Sequence, residues 1–413
     1  MGSSEPRAAV RSGEPVGPEV GLLLALGRAL HLYGTPAHRL ESALTEVARG
    51  LGIEAALFST PTALFATFSA GGRRQTHLER LAPSEVDLGK LGDVDGLAQR
   101  LVRGELEPGA ARRELQAVID RPGRYGPPLS ILAAAALSSS FAAILRAGWG
   151  AVLAAGVCGL VLGGLGVALA RSAELRRLRE LVGALVVSVL AVALAPLFDA
   201  APQVVTLAGL ILLVPGLTVT RAVSELAQGS LVSGTSRLFG AILTFLMLGF
   251  GVLLGGRLAE TFLGAPAVTV AAPVPMWAVL GAVAVAGLAF TVLLGAAPRD
   301  LPWILVGGLA TFWVSAESSA AWGPELAAFV AALAVGVGSN AYARLARRPA
   351  LIPRVPALLL LVPGSLGYRS VGSLLVQDAL TGVQHAFSVA MLVVALVAGL
   401  LAASAVLPAR QHL

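Results

Sequence analysis

The sequence predicts a mainly α-helical, polytopic membrane protein: about ten transmembrane helices in two inverted five-helix repeats, preceded by a small α+β domain. Three observations predict this fold class. The composition is 56% hydrophobic and only 13% charged, with a mean hydropathy of +0.80. The apolar residues concentrate beyond about residue 127, in runs near the roughly 20 residues that a bilayer crossing requires. One short motif occurs twice, 148 positions apart and without a gap.

The first 126 residues have the composition of a soluble domain. Residues 1–17 are polar and contain Gly, Pro and Glu, so we expect them to be disordered, with no cleaved signal peptide. Residues 18–126 form the α+β domain, and a linker rich in proline and glycine, at 121–128, leads from it into the membrane part. Apolar periodicity and turn residues predict helices over 18–33, 36–51, 86–104 and 109–120, and strands over 53–58, 62–68 and 75–81.

The membrane part divides into a first repeat over 127–260 and a second over 261–413. The fourth and ninth apolar runs are short, and each ends at a Pro-Gly step that an amphipathic segment follows. We leave open whether these segments cross the membrane, re-enter it or lie in its interface. The predicted spans are 128–145, 149–170, 181–198, 203–216, 231–255, 276–296, 302–320, 324–343, 351–364 and 380–407.

The arginines between the predicted spans are distributed asymmetrically. If the amino-terminal domain is cytoplasmic, the outside loops hold only Arg146, Arg257 and Arg369. The positive-inside rule therefore predicts that both termini are cytoplasmic. An odd number of spans in each repeat inverts the second repeat relative to the first. The inside loops hold Arg171, Arg176, Arg177, Arg179, Arg221, Arg299, Arg344, Arg347, Arg348, Arg354 and Arg410.

The duplicated motif is Leu-Leu-Val-Pro-Gly, at 212–216 and again at 360–364. Proline removes an amide donor and glycine permits a turn, so each step releases backbone polar groups at membrane depth. Such groups are tolerated there only when protein buries them or when they face a wet cavity. A duplicated, interrupted helix is therefore typical of a transporter's binding site. The alternative is a proline-kinked helix without a ligand.

The residues at the two breaks are the candidates for substrate binding. Released amides suit a carboxylate, and the arginines that follow each proline by six residues can pair with it, although headgroup contact or a salt bridge would explain them equally well. The hydroxyl groups can bind a hydroxylated side chain or satisfy the freed backbone. The candidates are Pro215, Gly216, Thr218, Thr220, Arg221, Pro363, Gly364, Ser365 and Arg369.

Four ionisable residues are candidates for proton coupling, because an ionisable group that faces a membrane cavity can relay protons. For each one alone, a solvated or structural role is the stronger interpretation, such as an ion pair between Glu225 and Arg221 at helical i,i+4 spacing. The four candidates are Glu225, Glu317, Asp378 and His385.

Several other functions are not indicated. Cys158 is the single cysteine, which excludes a disulfide framework and thiolate metal sites, and we expect neither a metal nor a cofactor. The domain's His31, His38 and His77 match no enzyme motif, so surface or packing roles are favoured and we do not expect an enzyme. Loop arginines argue against nucleic-acid binding. The Gly159-x3-Gly163 and Gly251-x3-Gly255 spacings predict close helix packing.

Several segments resemble the threonine/serine exporter family, and the resemblance covers nearly the whole chain beyond about residue 18. It implies a bacterial inner-membrane exporter of L-threonine and L-serine that the proton motive force drives, with the two halves that some relatives carry on separate proteins fused here. Some split relatives are associated with succinate instead. The resemblance rests on 34–41, 51–52, 59–62, 213–216, 229–234 and 361–367.

The main hypothesis is a secondary exporter of small hydroxylated amino acids, with protons and the lipid bilayer as its other partners. Alternating access would rock one five-helix half against the other. The alternatives are an exporter of small dicarboxylates, a membrane sensor or enzyme that does not transport, and a channel. Whether the chain forms a homo-oligomer stays open.

Overall fold

A computed structural model describes residues 17–70, 73–264, 272–361 and 379–408 of the chain. It contains one small sheet, and all its other regular elements are helical. In the amino-terminal domain the helices are α1 (Pro18–Leu32), α2 (Ala37–Gly50), α3 (Leu88–Val102) and α4 (Pro108–Asp120), and the strands are β1 (Glu54–Ser59), β2 (Ala63–Ala70) and β3 (Arg73–Arg80). All seven predicted elements of this domain are confirmed.

The sheet is an antiparallel meander in the order β1-β2-β3. Its strand β2 alternates, with Leu64, Ala66 and Phe68 buried against the helices while Phe65 faces outward. This alternation is the period of two that a half-buried strand requires. Leu22 and Leu44 from α1 and α2 join the strand's inner face in one apolar core. The same core includes Ile304 and Ile352 of the membrane part, so the domain packs continuously against the membrane helices.

The first half of the membrane part begins directly after the linker. It contains α5 (Pro127–Ile144), α6 (Trp149–Leu169), the short α7 (Ala173–Arg176), α8 (Arg179–Phe198), α9 (Pro202–Gly209), α10 (Gly216–Ala227) and α11 (Leu231–Leu263). The predicted boundary between the repeats, at 260/261, falls inside α11. That helix continues to Leu263 because the first breaker is Gly264, which has a φ of 84°.

In the second half three long helices, a short helix and a further long helix follow one another, as they do in the first half when α7 and α10 are set aside. It contains α12 (Met276–Leu293), a 3₁₀ turn (Pro298–Asp300), α13 (Leu301–Trp322), α14 (Pro324–Ala346), α15 (Leu351–Leu361) and α16 (Ala379–Val406). The second Pro-Gly step and the amphipathic segment after it lie outside the described residues. Arg354 is a correction to the sequence analysis: it is not a loop arginine but a buried residue of α15.

Eight helices within the described part of the chain are long and apolar enough to cross a membrane. The other two predicted spans correspond to α9, with 8 residues, and to α15, with 11 described residues. Neither described helix reaches the length that a crossing alone requires. The eight candidate spans are Pro127–Ile144, Trp149–Leu169, Arg179–Phe198, Leu231–Leu263, Met276–Leu293, Pro298–Trp322, Pro324–Ala346 and Ala386–Val406.

Equivalent helices of the two halves have equivalent neighbours. In the first half α8 packs along α11, and in the second half α14 packs along α16. The opening helices, α5 and α12, pack against each other across the two halves. They run antiparallel, because Ala143 shares an apolar cluster with Val279 while Ala133 shares another with Phe290. Opposite directions for equivalent helices are what an inverted repeat requires.

Between the residues that the structure describes, four hydrogen bonds hold the amino-terminal domain against both halves. Two reach the first half: the Ala37 N–H donates to Glu225 Oε1 at 3.1 Å, and Ser233 Oγ donates to the Ser59 carbonyl at 2.8 Å. Two reach the second half: the Leu88 N–H donates to the Leu294 carbonyl at 2.8 Å, and the Tyr125 hydroxyl donates to the Ala296 carbonyl at 2.9 Å. The domain is thus fixed to the ends of membrane helices in both halves.

Both predicted glycine spacings lie at close helix contacts. A Cβ at Gly159 would lie 2.6 Å from the Ala134 carbonyl oxygen of α5, and a Cβ at Gly251 would lie 2.6 Å from the Leu181 carbonyl oxygen of α8. Since those oxygens belong to helix backbone, they cannot move aside locally. These glycines let the helices approach closely, as small residues do in membrane helix pairs.

Gly251→Leu is expected to separate α11 from α8 and to lower the melting temperature of the detergent-solubilised protein by several degrees. Overpacking of a tight contact typically destabilises by about 1–3 kcal/mol or more. Gly240→Leu is the matched control on the same helix, because a Cβ at Gly240 would meet no atom within 4 Å. Equal melting temperatures for the two variants would refute the packing role.

Candidate functional site

The predicted interruption at the first Pro-Gly step is present in the fold. Helix α9 ends at Gly209, seven residues earlier than the sequence analysis placed the end of this span, and α10 begins at Gly216. Pro215 is the residue before α10, with φ −80° and ψ 37°. Gly209 packs tightly, because its Cβ would lie 2.8 Å from Val187 and 2.9 Å from Cys158. The break therefore lies beside the middles of α6 and α8.

Two residues at the start of α10 behave differently. Thr220 is buried, and its hydroxyl donates to the Gly216 carbonyl at 3.1 Å. This is the backbone-satisfying role that the sequence analysis gave as one alternative for the hydroxyl groups. The hydroxyl oxygen retains lone pairs and can still accept a hydrogen bond from a ligand. Thr218 lies on another face of α10, where it lines an apolar cavity.

An apolar cavity of about 320 Å³ lies at the break, between the two halves. Pro215, Gly216, Leu217 and Thr218 line it from the first half. Binding sites of small molecules are commonly apolar cavities of about this size with a few polar groups, and often lie where two structural units meet. The second half and α5 complete its wall with Phe290, Leu293, Leu294, Leu359, Leu137 and Phe141.

A second cavity, of about 90 Å³, lies along α10 and contains three arginines. We name it the arginine pocket and define it by Arg39 of α2, Arg221 of α10 and Arg354 of α15. Helix α16 closes it with Leu400, Leu401 and Ser404. The amino-terminal domain, the first half and the second half each contribute one arginine. Of the three, only Arg221 was a site candidate from the sequence.

Arg354 is held in place by a short polar chain. Its Nη2 donates to Asn340 Oδ1 at 2.7 Å, and Asn340 Nδ2 donates to the Leu407 carbonyl at 2.7 Å. Arg354 is only 9% exposed, and its Nε makes no hydrogen bond in the described structure. A buried guanidinium with an unused donor favours an anion as its partner.

His38 is a titratable neighbour of the three arginines, and burial is the main influence on its pKa. Its side chain lines the pocket beside Arg39. Burial, followed by the charges of Arg39 and Arg354, lowers the pKa of His38 from its usual 6.5 to about 4. Since His38 is neutral at physiological pH, it adds no further positive charge. The sequence analysis favoured a surface or packing role for this histidine.

Glu225 joins the domain to the membrane part. Its side chain is fully buried, and its Oε2 lies 3.0 Å from Arg237 Nε of α11. Its other oxygen accepts the Ala37 N–H of α2. The ion pair is thus with Arg237, whereas the sequence analysis considered Arg221 as the partner. This geometry shows a structural role for Glu225 and places it close to the arginine pocket.

The remaining candidates from the sequence lie elsewhere. Glu317 is exposed on α13, and His385 belongs to α16, although its side chain lies outside the described part of the chain. Five candidates fall on residues that the structure does not describe: Pro363, Gly364, Ser365, Arg369 and Asp378.

A buried network that the sequence analysis missed lies between the domain and the second half. Asp95 is 1% exposed and its Oδ2 accepts Gln99 Nε2 at 2.7 Å, while its Oδ1 has no hydrogen-bond partner in the described structure. Burial raises the pKa of Asp95 to about 8. Nearby, Asp300 accepts the Tyr342 hydroxyl at 2.9 Å and lies 3.3 Å from Arg348. No sequence signal marked this cluster, because its members are far apart in the chain.

Among the residues that the structure describes, no group of three or more His, Cys, Asp or Glu side chains is arranged to hold a metal ion. The two cavities beside α10 are lined by guanidinium, imidazole, amide, hydroxyl and apolar groups. Such a set can bind and release a small polar molecule.

The architecture defines a class: a multi-pass membrane protein with a discontinuous helix between its two halves. The family described as "Putative threonine/serine exporter" matches residues 21–259, and the family described as "Threonine/Serine exporter, ThrE" matches residues 279–406. The chain therefore belongs to the threonine/serine exporter family, in a form that carries both parts on one polypeptide. The family supports a membrane exporter.

Two of the curated relatives, both from fungi, carry the name "Pheromone-regulated membrane protein 10". The relative from Debaryomyces hansenii is 26% identical over 373 residues, which cover 84% of this chain and 36% of the relative. The relative from Saccharomyces cerevisiae is 27% identical over 368 residues, covering 86% of this chain and 47% of the relative. The chain thus spans between about a third and a half of their lengths. No solved structure matches the chain.

Proposed function

We propose that the chain exports small hydroxylated amino acids, L-threonine and L-serine, in exchange for protons, by alternating access between its two halves. The observation that carries this proposal is the interrupted helix α9–α10, which borders a cavity between the halves. Family membership supports export. The antiparallel α5 and α12 support an inverted repeat, in which the halves rock about a shared site.

In this proposal the first break supplies the binding groups. Pro215, Gly216 and Thr218 line the apolar cavity, while Thr220 and Arg221 line the arginine pocket on the other side of α10. Arg221 would pair with the substrate carboxylate. The second break, with Pro363, Gly364, Ser365 and Arg369, would supply the equivalent groups from the other half. Glu225, Glu317, Asp378 and His385 stay candidates for proton coupling.

The proposed membrane is the bacterial inner membrane, with both termini in the cytoplasm. The arginines that cluster between α6 and α8 and after α14 support this orientation, since they lie on the side of the amino-terminal domain. The substrate would then enter from the cytoplasm, past that domain.

The arginine pocket favours a second candidate function, the export of small dicarboxylates. Three guanidinium groups exceed what one carboxylate neutralises. A dicarboxylate such as succinate would pair with more of them than serine does. Competition between succinate and L-serine for uptake into proteoliposomes separates the two candidates.

The test is counterflow of labelled L-serine in proteoliposomes, with and without a pH gradient. We expect a saturable flux that the gradient accelerates, and an at least tenfold loss in the Pro215→Leu/Gly216→Ala variant, which favours a continuous helix. Pro196→Leu is the matched control, because Pro196 lies within the continuous helix α8.

Two outcomes would contradict the proposal. An L-serine flux whose rate does not change with the pH gradient would indicate a channel. A wild-type flux in the Pro215→Leu/Gly216→Ala variant would mean that transport does not need the interruption between α9 and α10. Efflux of threonine or serine from cells fed with dipeptides that contain these residues gives an independent measurement. Expression of this chain should restore the efflux in a deletion strain.

A further inference from the structure

We propose that the arginine pocket is the carboxylate-binding subsite, and that the amino-terminal domain takes part directly in substrate binding through Arg39. The inference rests on the proposed function, because it names where an exported carboxylate would be held. It assigns the domain a role in recognition, in place of a purely regulatory or structural one. The ligand class is a small organic carboxylate.

The first argument is the balance of charge. Arg39, Arg221 and Arg354 line one cavity, and none of its described lining residues is acidic. Two carboxylates lie near these arginines. Glu225, which acts on Arg221, is paired with Arg237 at 3.0 Å, and Asp95, which acts on Arg39, is mostly neutral near pH 7 because burial raises its pKa to about 8. Buried charges are normally paired, so an excess of buried positive charge favours an anion from solution.

The second argument is the unused hydrogen-bonding capacity. The buried Arg354 has one nitrogen, Nη2, on Asn340, while its Nε has no partner in the described structure. Thr220 and Ser404, which line the cavity, donate their hydroxyl protons to helix carbonyls at 3.1 Å and 3.2 Å, so any further hydrogen bond to these oxygens must come from a donor. Guanidinium groups bind a carboxylate, and hydroxyl oxygens accept from an ammonium or hydroxyl group. A hydroxylated amino acid carries both kinds of partner.

The third argument is size. The cavity of about 90 Å³ holds several waters, since one water needs roughly 10–15 Å³ of such volume. It is well below the roughly 300 Å³ at which drug-sized ligand sites begin. Leu217, Leu358 and Leu400 form its apolar wall. A molecule of a few heavy atoms fits this space, while the chains of a lipid do not.

The fourth argument is the position of Arg39. It follows Ala37 by two residues on α2, and the Ala37 N–H is bound to Glu225 of α10, the same helix that carries Arg221. The contact between Ala37 and Glu225 therefore sets the distance between two of the three arginines. An anion between them would relieve their mutual repulsion and hold the domain against both halves.

The experiment measures ligand-induced thermal stabilisation of the purified full-length chain in detergent. The probes are L-serine, succinate and L-serinamide, which lacks the carboxylate. A ligand that binds the folded state alone raises stability as RT ln(1 + [L]/Kd). We expect L-serine or succinate to raise the melting temperature, L-serinamide to have no effect, and Arg39→Gln and Arg354→Gln to weaken the response at least tenfold in apparent Kd.

Matched variants separate binding from folding. Arg113→Gln removes an exposed arginine of the same domain and should leave the response unchanged. Arg39→Lys retains the charge and should keep most of the affinity. This variant can still be measured if Arg39→Gln does not fold. A wild-type response in Arg39→Gln would overturn the inference. The inference would also be overturned if phosphatidylglycerol raised the melting temperature in a saturable way while L-serine and succinate had no effect. That result would assign the pocket to a lipid headgroup.

The failures of the two proposals can be told apart. If wild-type proteoliposomes transport L-serine and Arg39→Gln transports it with unchanged affinity, the inference fails and the exporter stands. If no transport is found but carboxylates stabilise the wild type and not Arg39→Gln, the subsite stands and the exporter fails.

Discussion

Replacing Glu225 by alanine is expected to destabilise the protein by about 3–5 kcal/mol and to release the amino-terminal domain. Removal of one partner of a buried ion pair leaves the other charge uncompensated, which accounts for an effect of that size. Glu225 is fully buried and its partner Arg237 is 13% exposed. The substitution also leaves the Ala37 N–H without its acceptor. Both effects act at the contact between domain and membrane helices.

Two measurements check this expectation. Thermal unfolding in detergent reports the loss of stability, and trypsin cleavage at the exposed Arg121 and Arg124 of the linker reports undocking of the domain. Glu260→Ala is the control, because Glu260 pairs with Arg257 at 3.6 Å on an exposed surface, where such pairs contribute about 0–1 kcal/mol. Glu225→Gln retains an acceptor for Ala37 and removes only the charge. If Glu225→Ala behaved like Glu260→Ala, the docking role would be wrong.

Asp95→Asn is expected to stabilise the protein at alkaline pH and to remove much of the pH dependence of its stability. The pKa of Asp95 is raised from 3.8 to about 8, chiefly by burial. Between these values the folded chain holds a proton that the unfolded chain releases, so stability falls as pH rises from about 4 to about 8. At roughly 1.4 kcal/mol per pH unit, the loss is on the order of 5 kcal/mol above pH 8.

The measurement is the melting temperature between pH 5 and pH 9. Asp120→Asn is a close control, because Asp120 also accepts a glutamine amide one helical turn away, from Gln116 at 2.8 Å, but is exposed. The wild type and Asp120→Asn should lose stability with rising pH, while Asp95→Asn should change little. A parallel decline in all three would mean that Asp95 is charged in the folded protein.

Much of the fold could be predicted from local sequence. Apolar runs predicted the candidate spans to within a few residues, with the exception of α11, and turn residues predicted the seven elements of the domain. The end of α9 was misplaced because residues 210–214 are apolar, and hydropathy alone cannot tell a buried turn from a helix. The break itself was predictable, because proline and glycine act on the backbone locally.

The arginine pocket could not be predicted, because it depends on tertiary contacts. Arg39, Arg221 and Arg354 are far apart in the chain and belong to three structural parts. The positive-inside rule counted Arg354 as an ordinary loop arginine, since the rule considers charge and position but not burial. The partner of Glu225 was missed for a similar reason: the helical i,i+4 position suggested Arg221, whereas the fold brings Arg237 from the next helix.

Helix α11 has 33 residues and is therefore about 50 Å long, against a hydrocarbon thickness of roughly 30 Å. A helix this long must lean or project, and its angle will follow the thickness of the surrounding lipid. Its first turn carries Ser233, which holds the Ser59 carbonyl of the amino-terminal domain. A change in the tilt of α11 is therefore expected to act first on the contact between Ser233 and the amino-terminal domain.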